Sequence, residues 1–241
     1  MKKVVFITGV SKGIGKSLAL KFKREGFFVA GLSRNKPDFD IDLFIKADLT
    51  KDKPQDVVEK LIEKTGRLDV LINNAGIGLY ESWENTNEED LRYLFEVNFF
   101  SVVSLTKASL PYLKETKGDI INVSSVAGKI HVPFMGGYCS SKFALNAFSY
   151  SLRAELKPYG INVLNLIVGR INTGFSSRSL GSLKPPETPF GAKAEDLAEK
   201  TFEAYKKRKR EIVFPWWYRI FIFIGNRFPD IYDKISLKKW D

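Results

Sequence analysis

One segment constrains this chain more than any other: Thr8-Gly9-Val10-Ser11-Lys12-Gly13-Ile14-Gly15, set between an apolar run at residues 4–7 and an amphipathic stretch at 14–25. Glycines here allow a tight turn and let backbone approach a ligand closely. The helix that follows offers unpaired N–H groups and the positive end of its dipole to an anion such as a pyrophosphate. A glycine-rich segment alone is weak evidence, since it can be a plain tight turn. Between a first strand and a first helix it says much more.

The rest of the chain repeats that alternation. Apolar strand-like runs fall at residues 3–8, 27–33, 42–47, 69–73, 119–124 and 161–168. Helical patterns fall at 14–25, at 54–64 behind Pro54, at 88–113 as one long helix, and at 137–157. Strands alternating with helical crossovers predict an α/β fold: a Rossmann-type, doubly wound parallel sheet flanked by helices. We read residues 1–241 as a single domain of this type, with an apolar and basic helical extension at 210–241. One connection is short. Only residues 34–41 separate the second and third strands, where a parallel crossover normally takes about a dozen or more. The helix expected there is lost or reduced to a loop, which would leave that end of the crevice more exposed.

Composition narrows the function classes. Cys139 is the only cysteine and His131 the only histidine, which argues against a disulfide and against a Cys/His metal site. The N-terminus reads as a first buried strand and not as a leader, so the expectation is a cytoplasmic protein. The net charge of +10 is spread along the chain, with one dense run at 206–210. No nucleic-acid motif accompanies it, and a nucleic-acid partner is not expected.

Tyr138 and Lys142 form a Tyr-x-x-x-Lys pair that shares one helix face. A phenol can give a proton to a carbonyl oxygen or take one from an alcohol, and a nearby ammonium favours the phenolate. Ser125 ends the fifth strand at the crevice side, and Asn74-Ala75-Gly76 follow the fourth. Asn98 lies among apolar neighbours inside the long helix, where it needs a partner. At the end of the second strand the sequence reads Ser33-Arg34, with no acid. An acid there would bond a ribose 2′-OH, whereas an arginine accepts a 2′-phosphate. Lys12 is a second cation within reach of the same group, so NADP is favoured over NAD.

The Gly-x3-Gly-x-Gly spacing, together with these residues in this order, resembles the short-chain dehydrogenase/reductase family over about residues 3–175. The resemblance implies a catalytic tetrad of Asn98, Ser125, Tyr138 and Lys142. Tyr138 would be the acid/base and Ser125 would hold the carbonyl. Lys142 would bind the nicotinamide ribose and lower the Tyr138 pKa, and Asn98 would order a water in a proton relay. It implies that NADP(H) is held by Gly9, Ser11, Lys12, Gly13, Ile14 and Gly15, with Arg34 at the phosphate. Asp48 and Leu49 would lie near the adenine, Asn74, Ala75 and Gly76 near the adenine ribose, and Gly169, Ile171 and Thr173 in the carboxamide loop. The family usually has Pro-Gly where this chain has Val168-Gly169. A homo-oligomer is usual, with residues 88–113 and 137–157 as the candidate interface.

Four features lie outside that pattern. Residues 176–192, rich in Ser, Gly and Pro, read as a mobile lid or as an inert connector. His131 reads as a surface-loop residue or as part of the pocket, and Cys139 as a small buried side chain. The aromatic tail, with Trp216 and Trp217 side by side, is too short to span a bilayer. It can wall the substrate pocket, form a subunit interface, or lie on a membrane with residues 206–210 drawn to anionic lipid. Relatives that reduce lipids and steroids look similar in carrying an apolar C-terminal segment, which implies a lipophilic 3-oxoacyl, lipid or steroid-like ketone. The competing readings are an NADP(H)-sensing regulatory protein, which has no need of the tetrad, and a membrane scaffold, which leaves the glycine turn unexplained.

Overall fold

The computed structural model describes residues 1–186, 191–238 and 240, and its first strand explains the layering. β1 (Val4–Thr8) is buried along its whole length. Its side chains alternate between two cores. Val5 and Ile7 meet Leu18 and Phe22 of α1 (Gly13–Arg24) on one face of the sheet. Val4 and Phe6 meet Leu61 of α2 (Pro54–Thr65) on the other. Each such side chain taken fully out of water stabilises the fold by about 1.5–3 kcal/mol.

The remaining strands are β2 (Phe28–Ser33), β3 (Leu43–Lys46), β4 (Val70–Asn73), β5 (Asp119–Ser125), β6 (Asn162–Val168) and β7 (Glu211–Phe214). They make one seven-stranded sheet, ordered β3-β2-β1-β4-β5-β6-β7, and every neighbouring pair is parallel. The chain moves outward from β1 to β3 and then returns to the other side of β1 for β4. This reversal opens a crevice at the carboxyl ends of β1 and β4.

The expected Rossmann-type sheet is present, with three differences in detail. First, β7 lies inside the segment read as an extension. It pairs with β6 from Asn165↔Glu211 to Val168↔Phe214, so the true extension begins after Phe214. It consists of α7 (Tyr218–Arg227) and α8 (Pro229–Leu237). Second, α6 (Ala194–Lys206) has no counterpart in the sequence reading. It lays Leu197, Ala198 and Phe202 into the α1 side of the core. Third, the long helix contains a π turn. α3 (Glu88–Phe95) runs into a π turn at Glu96–Phe100 and on into α4 (Ser101–Thr116). Asn87 caps its start by accepting from the Glu89 N–H at 2.7 Å, and Glu88, Glu89 and Asp90 complement the positive end of the dipole.

The connection between β2 and β3 is a loop, as its length predicts. Phe39 and Ile41 from that loop pack against the α1-side core in place of a helix. Lys16–Asp38 at 2.8 Å and Lys23–Asp40 at 2.6 Å tie it to α1. Exposed ion pairs contribute little, so the apolar contacts do most of the holding. The basic run at 206–210 precedes β7 and therefore lies at the opposite end of that strand from α7.

Candidate active site

The carboxyl ends of β1, β2, β4, β5 and β6 open into one cleft of roughly 1000 Å³. Its floor begins at the glycine turn. Gly9 and Gly13 hold φ of +66° and +59°, a region in which a side chain is strained. A Cβ on Gly15 would lie 2.3 Å from the Gly9 carbonyl oxygen. Gly15 is therefore a packing residue that presses α1 onto the turn, and it does not itself line the cleft. Ser11, Lys12, Gly13 and Ile14 do.

Thr8 and Asn74 lock the ends of β1 and β4 together. The Thr8 hydroxyl accepts from the backbone N–H groups of Asn74 and Ala75, each at 3.0 Å. The Asn74 side-chain amide donates to the Thr8 carbonyl at 2.8 Å. The sequence reading includes Thr8 in the glycine segment but gives it no role of its own. Its signal is weak, a small hydroxyl before a glycine.

Further along the cleft stand Arg34, Asp48, Leu49, Ala75 and Gly76. Arg34 and Lys12 are exposed and make no ion pair among the described residues. The acid nearest in sequence to Arg34, Asp38, is held by Lys16. On the opposite wall are Gly169, Ile171 and Thr173. Thr173 reaches back to the turn, where a Cβ on Gly13 would meet its Cβ at 3.1 Å. Two strained glycines, a helix start with no side-chain cap and two exposed cations in one long cleft fit a dinucleotide.

Tyr138 sits in the first turn of α5 (Gly136–Leu156). That turn can approach its neighbours because a Cβ on Gly136 would strike the Trp83 ring at 2.3 Å, and one on Gly137 would meet Leu91 at 2.8 Å. Tyr138 and Lys142 are both buried. The Lys142 Nζ lies 5.8 Å from the centre of the Tyr138 ring and donates to the Val123 carbonyl at 3.1 Å. Ser125 ends β5 and accepts from the Ala127 N–H at 3.1 Å, which fixes its hydroxyl beside the phenol.

Asn98 finds its partners in the Ile77 backbone and the Ser141 side chain. Its carbonyl oxygen accepts from the Ile77 N–H at 2.9 Å, and its amide donates to the Ile77 carbonyl at 2.9 Å and to the Ser141 hydroxyl at 3.1 Å. Ser141 in turn donates to the Tyr138 carbonyl at 2.8 Å. Asn98 is fully buried behind Gly76 and does not line the cleft. A Cβ at Gly76 would sit 3.2 Å from the Asn98 oxygen and 3.6 Å from the Lys142 Nζ. Three groups sequence reasoning missed, Ile77, Val123 and Ser141, thus hold the tetrad in place.

Burial governs the electrostatics. It pushes the Tyr138 phenol above its usual range, against the hydrogen bond of Ser125, and Tyr80 adds to the rise. It pulls Lys142 down to about 8. The depression of the phenol expected from Lys142 does not appear, because the loss of water outweighs it and the Nζ is directed at Val123. Cys139 is buried and its thiol is pushed up to about 11 by burial, which suits a packing role.

The far end of the cleft is apolar and is walled by the extension. Trp217, Tyr218, Ile224, Tyr232 and Trp240 line it. A Cβ on Gly169 would lie 2.3 Å from the Tyr218 ring, so this glycine is required by packing whatever it does for a ligand. Phe175 stacks at a tilt on Tyr138 with ring centres 6.0 Å apart. Within the predicted lid, Pro185 and Pro186 line the cleft, and Arg170 donates to the Pro186 carbonyl at 2.7 Å. Residues 187–190 of that lid lie outside the described residues. His131 is exposed, outside the cleft lining, and contacts Asp233 of α8 at 2.5 Å. Among the described residues no group of acids, histidines and cysteines is arranged to hold a metal, and no helix is long and apolar enough to cross a membrane.

This fold and this cleft are those of a nicotinamide-dependent oxidoreductase of the Rossmann type. The chain belongs to the short-chain dehydrogenase family, whose model matches residues 3–181. It is 39% identical over 185 residues to a 3-ketodihydrosphingosine reductase of Bacteroides thetaiotaomicron, a match covering 75% of this chain and 68% of that one. It is 36% identical over 197 residues to an NADPH-dependent 1-acyldihydroxyacetone phosphate reductase of Schizosaccharomyces pombe, covering 78% and 66%. Among solved structures, an alcohol dehydrogenase from the archaeon Thermococcus sibiricus complexed with 5-hydroxy-NADP matches with a TM-score of 0.80 at 26% identity, covering 90% and 98%.

Proposed function

We propose that this protein reduces a lipophilic ketone with NADPH, using Tyr138 as the proton donor. The observation that carries this reading is the position of Tyr138: buried beside Ser125 and Lys142, where the polar arm of the cleft meets its apolar arm. Bound NADPH supplies the hydride. The Ser125 hydroxyl donates to the substrate carbonyl oxygen and so holds it against Tyr138. The Tyr138 hydroxyl gives its proton to that oxygen as negative charge develops there. A phenol pushed up by burial is protonated throughout the neutral range, which suits an acid in the reducing direction. Lys142, whose Nζ donates to the Val123 carbonyl at the cleft, would hold the ribose hydroxyls of the bound cofactor. Asn98 acts as a positioning residue, through Ile77 and through Ser141 beneath Tyr138.

The choice of NADP rests on Arg34 and Lys12, two exposed cations on the cleft. A guanidinium pairs bidentately with a phosphate, and no acid ends β2 to select a ribose hydroxyl. The relatives named above as reductases, one of them NADPH-dependent, favour the same choice. The apolar far wall favours a long-chain or ring ketone. A homo-oligomer belongs to this reading as well, since Phe100 and Phe143 stand exposed on the helices expected to pair.

NADPH oxidation against ketones of rising chain length and ring count tests this. Wild type should turn over the long members, and Tyr138→Phe should lose about 10²–10⁴-fold in kcat while still binding NADPH by fluorescence. Binding without reduction of any ketone would favour the sensing protein instead.

A further inference from the structure

The helices after β7 have two faces. Through Tyr218, Ile222 and Tyr232 they pack on Val126, Ile130 and Ile167, and part of this inner face walls the cleft. The outer face carries Trp216, Ile220, Phe223 and Ile231, which are 66%, 51%, 63% and 55% exposed. None of these four lines the cleft. Phe221 and Ile235 belong to both sets: they line the cleft and are exposed. They therefore mark its rim, and the apolar lining continues outward onto the apolar outer face.

A continuous apolar surface of this kind is unusual on a soluble monomer. Its charges indicate what covers it. Arg219, Arg227, Lys234 and Lys238 are exposed along the same stretch. Against them, among the described residues, stand two acids, Asp230 and Asp233, and Asp233 is engaged by His131. A two-fold copy would bring these cations against their own kind, whereas an anionic lipid surface complements them. An exposed tryptophan, Trp216, next to a cationic amphipathic helix suits the headgroup layer.

We propose that α7 and α8 dock on an anionic lipid surface, with Trp216, Ile220, Phe223 and Ile231 among the headgroups and the rim of the cleft opening into the lipid interface. A long-chain ketone then passes from lipid to Tyr138 past Phe221 and Ile235 without crossing water. The route of the substrate rests on the reductase reading above; the docking itself does not.

Flotation of the full chain with vesicles tests both parts. Wild type should float with phosphatidylcholine vesicles containing phosphatidylserine and float less with phosphatidylcholine alone. The combined variant Ile220→Ser/Phe223→Ser/Ile231→Ser should lose about tenfold or more of that binding. It should reduce a small water-soluble ketone at the wild-type rate and lose turnover of a vesicle-embedded one. Wild type that stays unbound with anionic vesicles overturns the docking, even if soluble ketones are reduced. A variant that floats like wild type overturns it too. So does a wild-type dimer that the variant converts to monomer without any flotation, since the face then covers a second copy. Flotation that follows the prediction while no ketone is reduced supports the docking and counts against the reductase reading alone.

Discussion

Tyr138 and Lys142 show how far a side-chain pattern can be read and where it stops. Their spacing on one helix face was legible, because a helix brings residues four apart together. So was Ser125, because strand ends in such sheets face the crevice. The backbone partners were not, because Val123, which receives Lys142, and Ile77, which pairs with Asn98, act through atoms that carry no side-chain signal. Burial of Lys142 has a measurable consequence. Its ammonium persists to about pH 10.5 in the unfolded chain but only to about 8 in the folded one. Between these values the unfolded chain binds the additional proton, so stability rises with pH across that window. Each pKa unit is worth about 1.4 kcal/mol. Thermal melts of wild type and Lys142→Met from pH 7.5 to 10.5 should converge as pH rises, with wild type the steeper. Parallel curves would mean that Lys142 titrates like a surface lysine.

At the scale of elements, long apolar runs and their caps were legible, and short or edge elements were not. β7 is four residues long and half-buried at the sheet edge, and the aromatics that follow it mask its alternation. α6 follows a stretch rich in proline and serine, which draws attention away from its Leu197, Ala198 and Phe202 face. The π turn at Glu96–Phe100 sits inside one continuous helical run with no proline or glycine to mark it. Within the tail, the sequence left wall, interface and membrane open. Tyr218 favours the wall, with its ring against Gly169 and its hydroxyl accepting from the Arg170 N–H at 3.3 Å. Tyr218→Ala should release α7 from β6 at a cost of about 2 kcal/mol for a half-buried ring. The KM for a long-chain ketone should rise several-fold while kcat for a small ketone and NADPH affinity stay near wild type. An unchanged long-chain KM would remove α7 from the substrate path.

For the whole molecule, the order of the strands follows from rules that need no side-chain detail. Parallel strands require crossovers, crossovers are right-handed, and the reversal between β1 and β4 leaves one crevice for a ligand. The glycine turn at the end of β1 then has one place to be, which is why fold and cofactor end were legible together. Ligand selectivity was less so, since it depends on two exposed cations, Lys12 and Arg34, either of which could have been an ordinary surface charge. Stability offers a test that does not depend on knowing the substrate. A ligand that binds only the folded state stabilises it by about 2.7 kcal/mol at one hundred times its Kd. For a chain of this size that is a rise in Tm of roughly 5–10 °C. NADPH should produce that rise at a concentration where NADH produces little. In Arg34→Ala the NADPH shift should fall to the NADH level, because a charge-assisted bond to phosphate is worth about 1.5–3 kcal/mol and NADH lacks the phosphate. Equal shifts from both cofactors in wild type would sink the NADP assignment and leave Arg34 as a solvated charge at the end of β2.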